Sequence, residues 1–111
     1  MTGDGFGQSL ADDLRFLWRL RQLRRQALSW RRPTVEEERR ADTHPVIGRF
    51  GDGTHAVRDG DGRWFVVRDR MWHGWPDPPE FALFVLDGDA IWCAADFDGW
   101  PGRWTWDDAP R

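Results

Sequence analysis

The sequence predicts an α+β domain, in which a long N-terminal amphipathic helix packs on an antiparallel meander sheet of about five strands. Three observations carry that prediction. Apolar residues recur at helical spacing from Phe16 to Trp30. The apolar period drops to two after Pro45. Short Gly- and Asp-rich stretches then punctuate the chain at intervals suited to hairpins.

The helix is expected over residues 9–32. Ser9 followed by Asp12 reads as a capping box, in which the hydroxyl satisfies an orphan backbone N–H. Phe16, Leu20, Leu23, Ala27 and Trp30 form a single seam at spacing 4-3-4-3. Leu10, Leu14 and Leu17 add a second apolar stripe in the first half, so the helix should bury a wide face early and a narrow face late. Pro33 ends it, because proline has no N–H to donate. Thr34 then caps a short second helix over residues 34–41, with Glu36, Glu37 and Glu38 in its first turn.

The sheet is expected within residues 46–106. Val46–Phe50, His55–Arg58, Trp64–Trp72, Phe81–Leu86 and Ala90–Phe97 alternate or run apolar in the manner of strands. Asp87-Gly88 is a two-residue hairpin signal, which would set Leu86 opposite Asp89, Phe84 opposite Ile91 and Leu83 opposite Trp92. That hairpin is apolar on both sides and should be central and covered on each face. The Trp64 strand mixes Trp and Arg on one side, which suits a half-covered surface. Residues 72–79 form a Trp-rich loop, since three of its last four positions are proline. Residues 96–108 form an acidic, aromatic tail, with Arg103–Trp106 as an added edge strand.

A length of 111 residues suits one domain, spanning residues 1–111. Apolar content of 40% against 32% charge excludes global disorder. The basic residues are sixteen arginines with no lysine, the signature of a GC-rich bacterial or phage genome. Net charge is −3 but unevenly placed: +4 over residues 1–32, −2 over 33–45 and −5 over 46–111. Cys93 is the single cysteine, so no internal disulfide forms. The first residues lack the basic and apolar regions of a secretory signal. The longest apolar runs, Phe81–Leu86 and Ala90–Ala95, are far short of a membrane span. A cytoplasmic setting is the expectation.

Nine Trp and seven Phe are the unusual feature. Each buried ring removes about 150–250 Å² from water, and a domain this small has little room for so many. Exposed Trp beside Arg is the composition of protein-binding hot spots. The candidate contact surface therefore joins Trp72, His73 and Trp75 to Trp100, Trp104 and Trp106, with Arg68, Arg70 and Arg103 at its rim. It implies a non-enzymatic accessory, inhibitor or immunity-type protein docking on a larger protein. The alternatives are an enzymatic or ligand-binding domain with an aromatic pocket, and nucleic-acid binding through a basic helix carrying Arg15, Arg19, Arg21, Arg24 and Arg25. The negative net charge opposes the last. Those arginines should otherwise be offset by the acidic half of the chain. The 4-3 seam of Phe16, Leu20, Leu23, Ala27 and Trp30 is also a candidate homodimer contact.

No catalytic signature stands out, and no cofactor is implied. Asp59-Gly-Asp61-Gly lacks the later ligands of a calcium loop and reads as turn chemistry. His44, His55, His73 and Cys93 have no metal-ligand spacing. Glu80 with Asp96 or Asp98 has no spacing that argues for a carboxylate pair. Cys93 alternates with Ile91 and Ala95, the pattern of a buried, inert thiol.

Overall fold

The computed structural model describes residues 10–50, 52–69 and 80–107, with side chains from Asp13 onward. It is an α+β fold. Helix α1 (Leu10–Arg24) leads to a short strand β1 (Leu28–Trp30) and a second helix α2 (Val35–Thr43). Strands β2 (Gly53–Gly60), β3 (Arg63–Asp69), β4 (Phe81–Asp87) and β5 (Ala90–Phe97) form an antiparallel sheet in chain order. The last strand, β6 (Trp104–Trp106), pairs parallel with β1.

Both faces of the sheet are covered by the same chain. On one face lie α1 and the β1–β6 pair, marked by Trp30 against Phe65 and by the Cys93 thiol 3.4 Å from the Phe16 carbonyl. On the other lies α2 with a 3₁₀ turn at Ile47–Arg49, marked by Phe50 against Phe84 and Arg40 over Trp64. This double cover is why Phe81–Leu86 can be continuously apolar: all six side chains are buried. It also corrects the expectation of a half-covered Trp64 strand, since Trp64 through Arg68 are buried.

Helix α1 stops eight residues before Arg32, the expected end. A strand pattern inside Leu28-Ser29-Trp30 wins over helix propensity: Leu28 and Trp30 are buried, and Ser29 between them is exposed. The Leu28 N–H donates to the Arg103 carbonyl, the Asp107 N–H donates to Trp30, and Arg31 exchanges two backbone bonds with Val57. These ladder bonds and the complete burial of Trp30 reward extension more than two further helical turns would. The seam is therefore split. Phe16, Leu20 and Leu23 pack on the sheet from α1, Trp30 does so from β1, and Ala27 is exposed between them. Its apolar residues are spent within the chain, which leaves that seam no face for self-pairing.

Helix α2 has the cap predicted for it. The Thr34 hydroxyl accepts from the Glu37 N–H at 3.1 Å, and the Glu37 carboxylate accepts from the Thr34 N–H at 3.0 Å. Val46–Phe50, expected as a strand, instead makes the 3₁₀ turn. His44 Nδ1 accepts from the N–H groups of both Val46 and Ile47, at 3.0 and 3.2 Å, and Ile47 is fully buried. Gly48 is required there, because a Cβ would lie 2.2 Å from the Asp42 carbonyl oxygen.

The two described hairpin turns differ. Asp61 and Gly62 have φ of 53° and 74°, the two positive values of a type I′ turn. In the next hairpin the loop is Gly88-Asp89 rather than Asp87-Gly88, and only Gly88 has positive φ, at 63°. Glycine takes the first turn position, so Asp87 pairs with Ala90. A bulge follows, and Phe84 and Leu83 then face Ala94 and Ala95 instead of Ile91 and Trp92. Large residues on β4 thus meet small ones on β5. The predicted pairing was out of step because the sequence signal fixed the glycine but not its place in the turn.

Candidate functional site

The tryptophans of the tail are drawn inward. Trp104 is 3% exposed and donates its indole N–H to the Leu23 carbonyl at 2.9 Å, tying the tail to the end of α1. Trp100 donates to the Trp104 carbonyl at 3.0 Å and stacks on Trp106 with 7° between the rings. Both are half-buried, and Trp30, Phe81 and Phe97 complete the cluster through edge and tilted contacts. His55 packs at its border against Phe81, Trp100 and Trp106, with Nδ1 3.4 Å from Asp69. Burial, and then the Arg32 charge, lower the His55 pKa from its ordinary 6.5, and Asp69 opposes them. Among the described residues these rings pack mainly against one another.

The expected rim is also redistributed. Arg68 is 3% exposed, on the α2 side of the sheet, away from the tail tryptophans. Its guanidinium donates to Phe50 O at 3.0 Å, Thr54 Oγ1 at 3.0 Å and Asp42 at 2.8 Å, with Glu38 3.5 Å away. Arg103 is exposed and reaches the Arg25 carbonyl at 3.3 Å. Trp72, His73, Trp75 and Arg70 lie outside the described residues. The structure therefore brings Trp100, Trp104 and Trp106 together as an extension of the core. It removes Trp104 and Arg68 from the surface, because each completes buried hydrogen bonding.

The basic helix spends part of its charge on the sheet edge. Arg19 lies 4.4 Å over the Trp92 ring and donates to the Trp92 carbonyl. Arg63 covers the same ring at 4.3 Å. Arg24 stacks on Phe97 and reaches the Asp98 carbonyl at 3.5 Å. These two helix arginines cap the open edge of β5, where unpaired carbonyls would otherwise face solvent. Arg15, Arg21 and Arg25 are exposed.

The outer face of α1 is the feature that sequence reasoning missed. Leu14, Leu17 and Trp18 are 59%, 49% and 61% exposed. At about 100° per residue, Trp18 lies roughly opposite the buried row of Phe16, Leu20 and Leu23. Leu14, Leu17, Trp18 and Arg21 follow one another at i, i+3, i+4 and i+7 on that outer side. Leu14 and Leu17, from the stripe predicted to widen the buried face, face water instead, and the Leu10 side chain lies outside the described residues. The signal was available: a helix with one buried row must turn the residues midway between its members outward, and Trp18 belonged to no buried row.

The remaining candidates resolve into structural roles. Asp98 accepts from the Glu80 backbone N–H at 2.7 Å. Cys93 is fully buried, and burial pushes its thiol up to about 12. Among the described residues, no group of three or more His, Cys, Asp or Glu is placed to hold a metal ion. No helix among them is long and apolar enough to cross a membrane. Comparison of the chain with protein-family models, with curated proteins and with solved structures returns no match.

Proposed function

We propose that this protein is a non-enzymatic accessory or inhibitor-type module that docks on a larger protein through the outer face of α1. The observation that carries the reading is the exposed trio of Leu14, Leu17 and Trp18 on one side of a helix. Water contact with three large apolar side chains is unfavourable, at roughly 25 cal/mol for each Å² left uncovered. A partner that covers them gains that term, and tryptophan is the residue most enriched among interface hot spots. The setting is the cytoplasm of a bacterium with a GC-rich genome, or of one infected by its phage.

The nucleic-acid reading is weaker on this arrangement. Arg19 and Arg24 are held by rings and carbonyls, which leaves fewer guanidiniums for phosphates. The pocket reading is weaker as well, because the described aromatic rings pack on each other.

The test is affinity purification from cells of the source organism, with Trp18→Ala and Leu17→Asp beside the parent chain. We expect a specific protein to co-purify with the parent and to be lost from both variants, with thermal midpoints unchanged. A partner retained equally by all three forms would remove α1 from the interface.

A further inference from the structure

The face that carries the proposed function also indicates what kind of partner fits it. Resting on that docking reading, we infer that the partner presents an apolar groove bordered by carboxylates, into which α1 lies as a preformed ligand helix. The apolar trio fills the first part of the stripe, and its C-terminal end is basic: Arg21 continues the stripe and Arg25 follows it, both exposed. Among the described side chains no acid shares the stripe. Asp13 is half-buried and sits on the sheet side of the helix. A complementary surface therefore needs apolar floor under Leu14, Leu17 and Trp18, and negative charge beyond Trp18 toward Arg21 and Arg25.

Charge argues against two other occupants. If two copies of α1 paired antiparallel, Arg21 of each would meet the apolar stripe of the other, and the described side chains of that stripe offer no acid to receive it. Burying a guanidinium without a counter-charge is costly. An anionic bilayer would attract Arg21 and Arg25 but would repel a molecule of net charge −3. The helix is also held by its sheet side, so among the described residues it offers lipid a short apolar patch of three side chains.

The helix is suited to be the rigid member of such a pair. Phe16, Leu20 and Leu23 anchor it to the sheet, and Arg19 and Arg24 clamp it to β5. Little ordering is then left for binding, which favours affinity for a given contact area.

The experiment places a photo-crosslinking amino acid at position 14, 17 or 18 of the full chain in cells of the source organism. The crosslinked species is identified by mass spectrometry, and its affinity is measured with purified components across a salt series. We expect one protein, crosslinked through a segment containing Asp or Glu. Its affinity should fall with added salt and drop at least about tenfold in an Arg21→Glu, Arg25→Glu double variant. A protein captured at these positions whose affinity ignores both salt and charge reversal would overturn the acidic groove and leave docking intact. Absence of any crosslink would overturn both. Crosslinking to a second copy, with a dimer in light scattering, would overturn the inference in favour of self-association. Sedimentation of the wild-type chain with phosphatidylglycerol vesicles, lost in the double variant, would overturn it in favour of a lipid surface.

Discussion

A guanidinium laid on an aromatic ring keeps its edge free to donate while it shields the ring from water. This explains how so many indoles coexist with sixteen arginines in one small chain. Arg19 and Arg63 both lie over Trp92, Arg40 covers Trp64, and Arg32 covers Trp106. Among the described residues, part of the surplus of Trp and Arg that suggested an outward-facing surface is consumed in such pairs. Arg68 differs from these arginines, because it serves polar groups alone. Its loss would strip the Phe50 carbonyl, the Thr54 hydroxyl and the Asp42 carboxylate of this donor beneath α2, while Glu38 keeps the Thr54 N–H at 3.0 Å. Asp42 and Glu38 are partly solvated, which moderates the cost. Arg68→Ala should lower the unfolding free energy in urea by about 2–4 kcal/mol. Arg68→Lys should recover only part of it, since an ammonium cannot match the fork that spans Phe50 and Asp42. A neutral Arg68→Ala would show that α2 is held by its other contacts, the Arg31–Glu37 pair and the Thr54–Glu38 bond among them.

Among the elements, those whose identity depends on local chemistry were readable, and those that depend on a distant partner were not. Thr34 and Glu37 specify the start of α2 between themselves, and that cap forms as expected. Leu28–Trp30 becomes a strand only because Trp104–Trp106, more than seventy residues later, supplies its ladder. Nothing in the neighbourhood of Leu28 announces that. The same distance hid the place of Trp104, whose sequence neighbours are polar or small. It lies under α1, with its N–H on Leu23 and its ring tilted 4.9 Å from Trp30. Trp104→Ala should therefore cost about 3–5 kcal/mol and weaken the β1–β6 pair. Trp18→Ala, on the opposite side of α1, should change stability by less than about 0.5 kcal/mol. Denaturant titrations of the two variants read this directly. Equal effects would mean that the outer face of α1 is as structural as the inner one.

Across the whole molecule, three titratable groups respond to acid with the same sign. Glu37 is hydrogen-bonded to Arg31 at 2.6 and 2.9 Å, and the guanidinium draws its carboxyl down from 4.5 to about 2. Its stabilisation is complete above 4.5 and is lost as pH falls toward 2. His44 and His55 are both held below their ordinary 6.5, chiefly by burial, with Arg40 and Arg32 adding to it. In that state His44 Nδ1 accepts two backbone N–H groups, which a proton would block. A depressed histidine binds its proton more readily in the unfolded chain, so this stabilisation too is present above 6.5 and declines below it. Stability should therefore fall in two stages on acidification, one beginning below 6.5 and one below 4.5. The slope from each group can reach about 1.4 kcal/mol per pH unit. Glu37→Gln should flatten the lower stage and leave the upper. His44→Asn, whose side-chain oxygen can accept the same turn N–H without titrating, should flatten part of the upper stage and leave the lower. Urea titrations from neutral pH down to about pH 3 separate the two, and a stability that rose on acidification between those limits would reverse the sign argued here for all three groups.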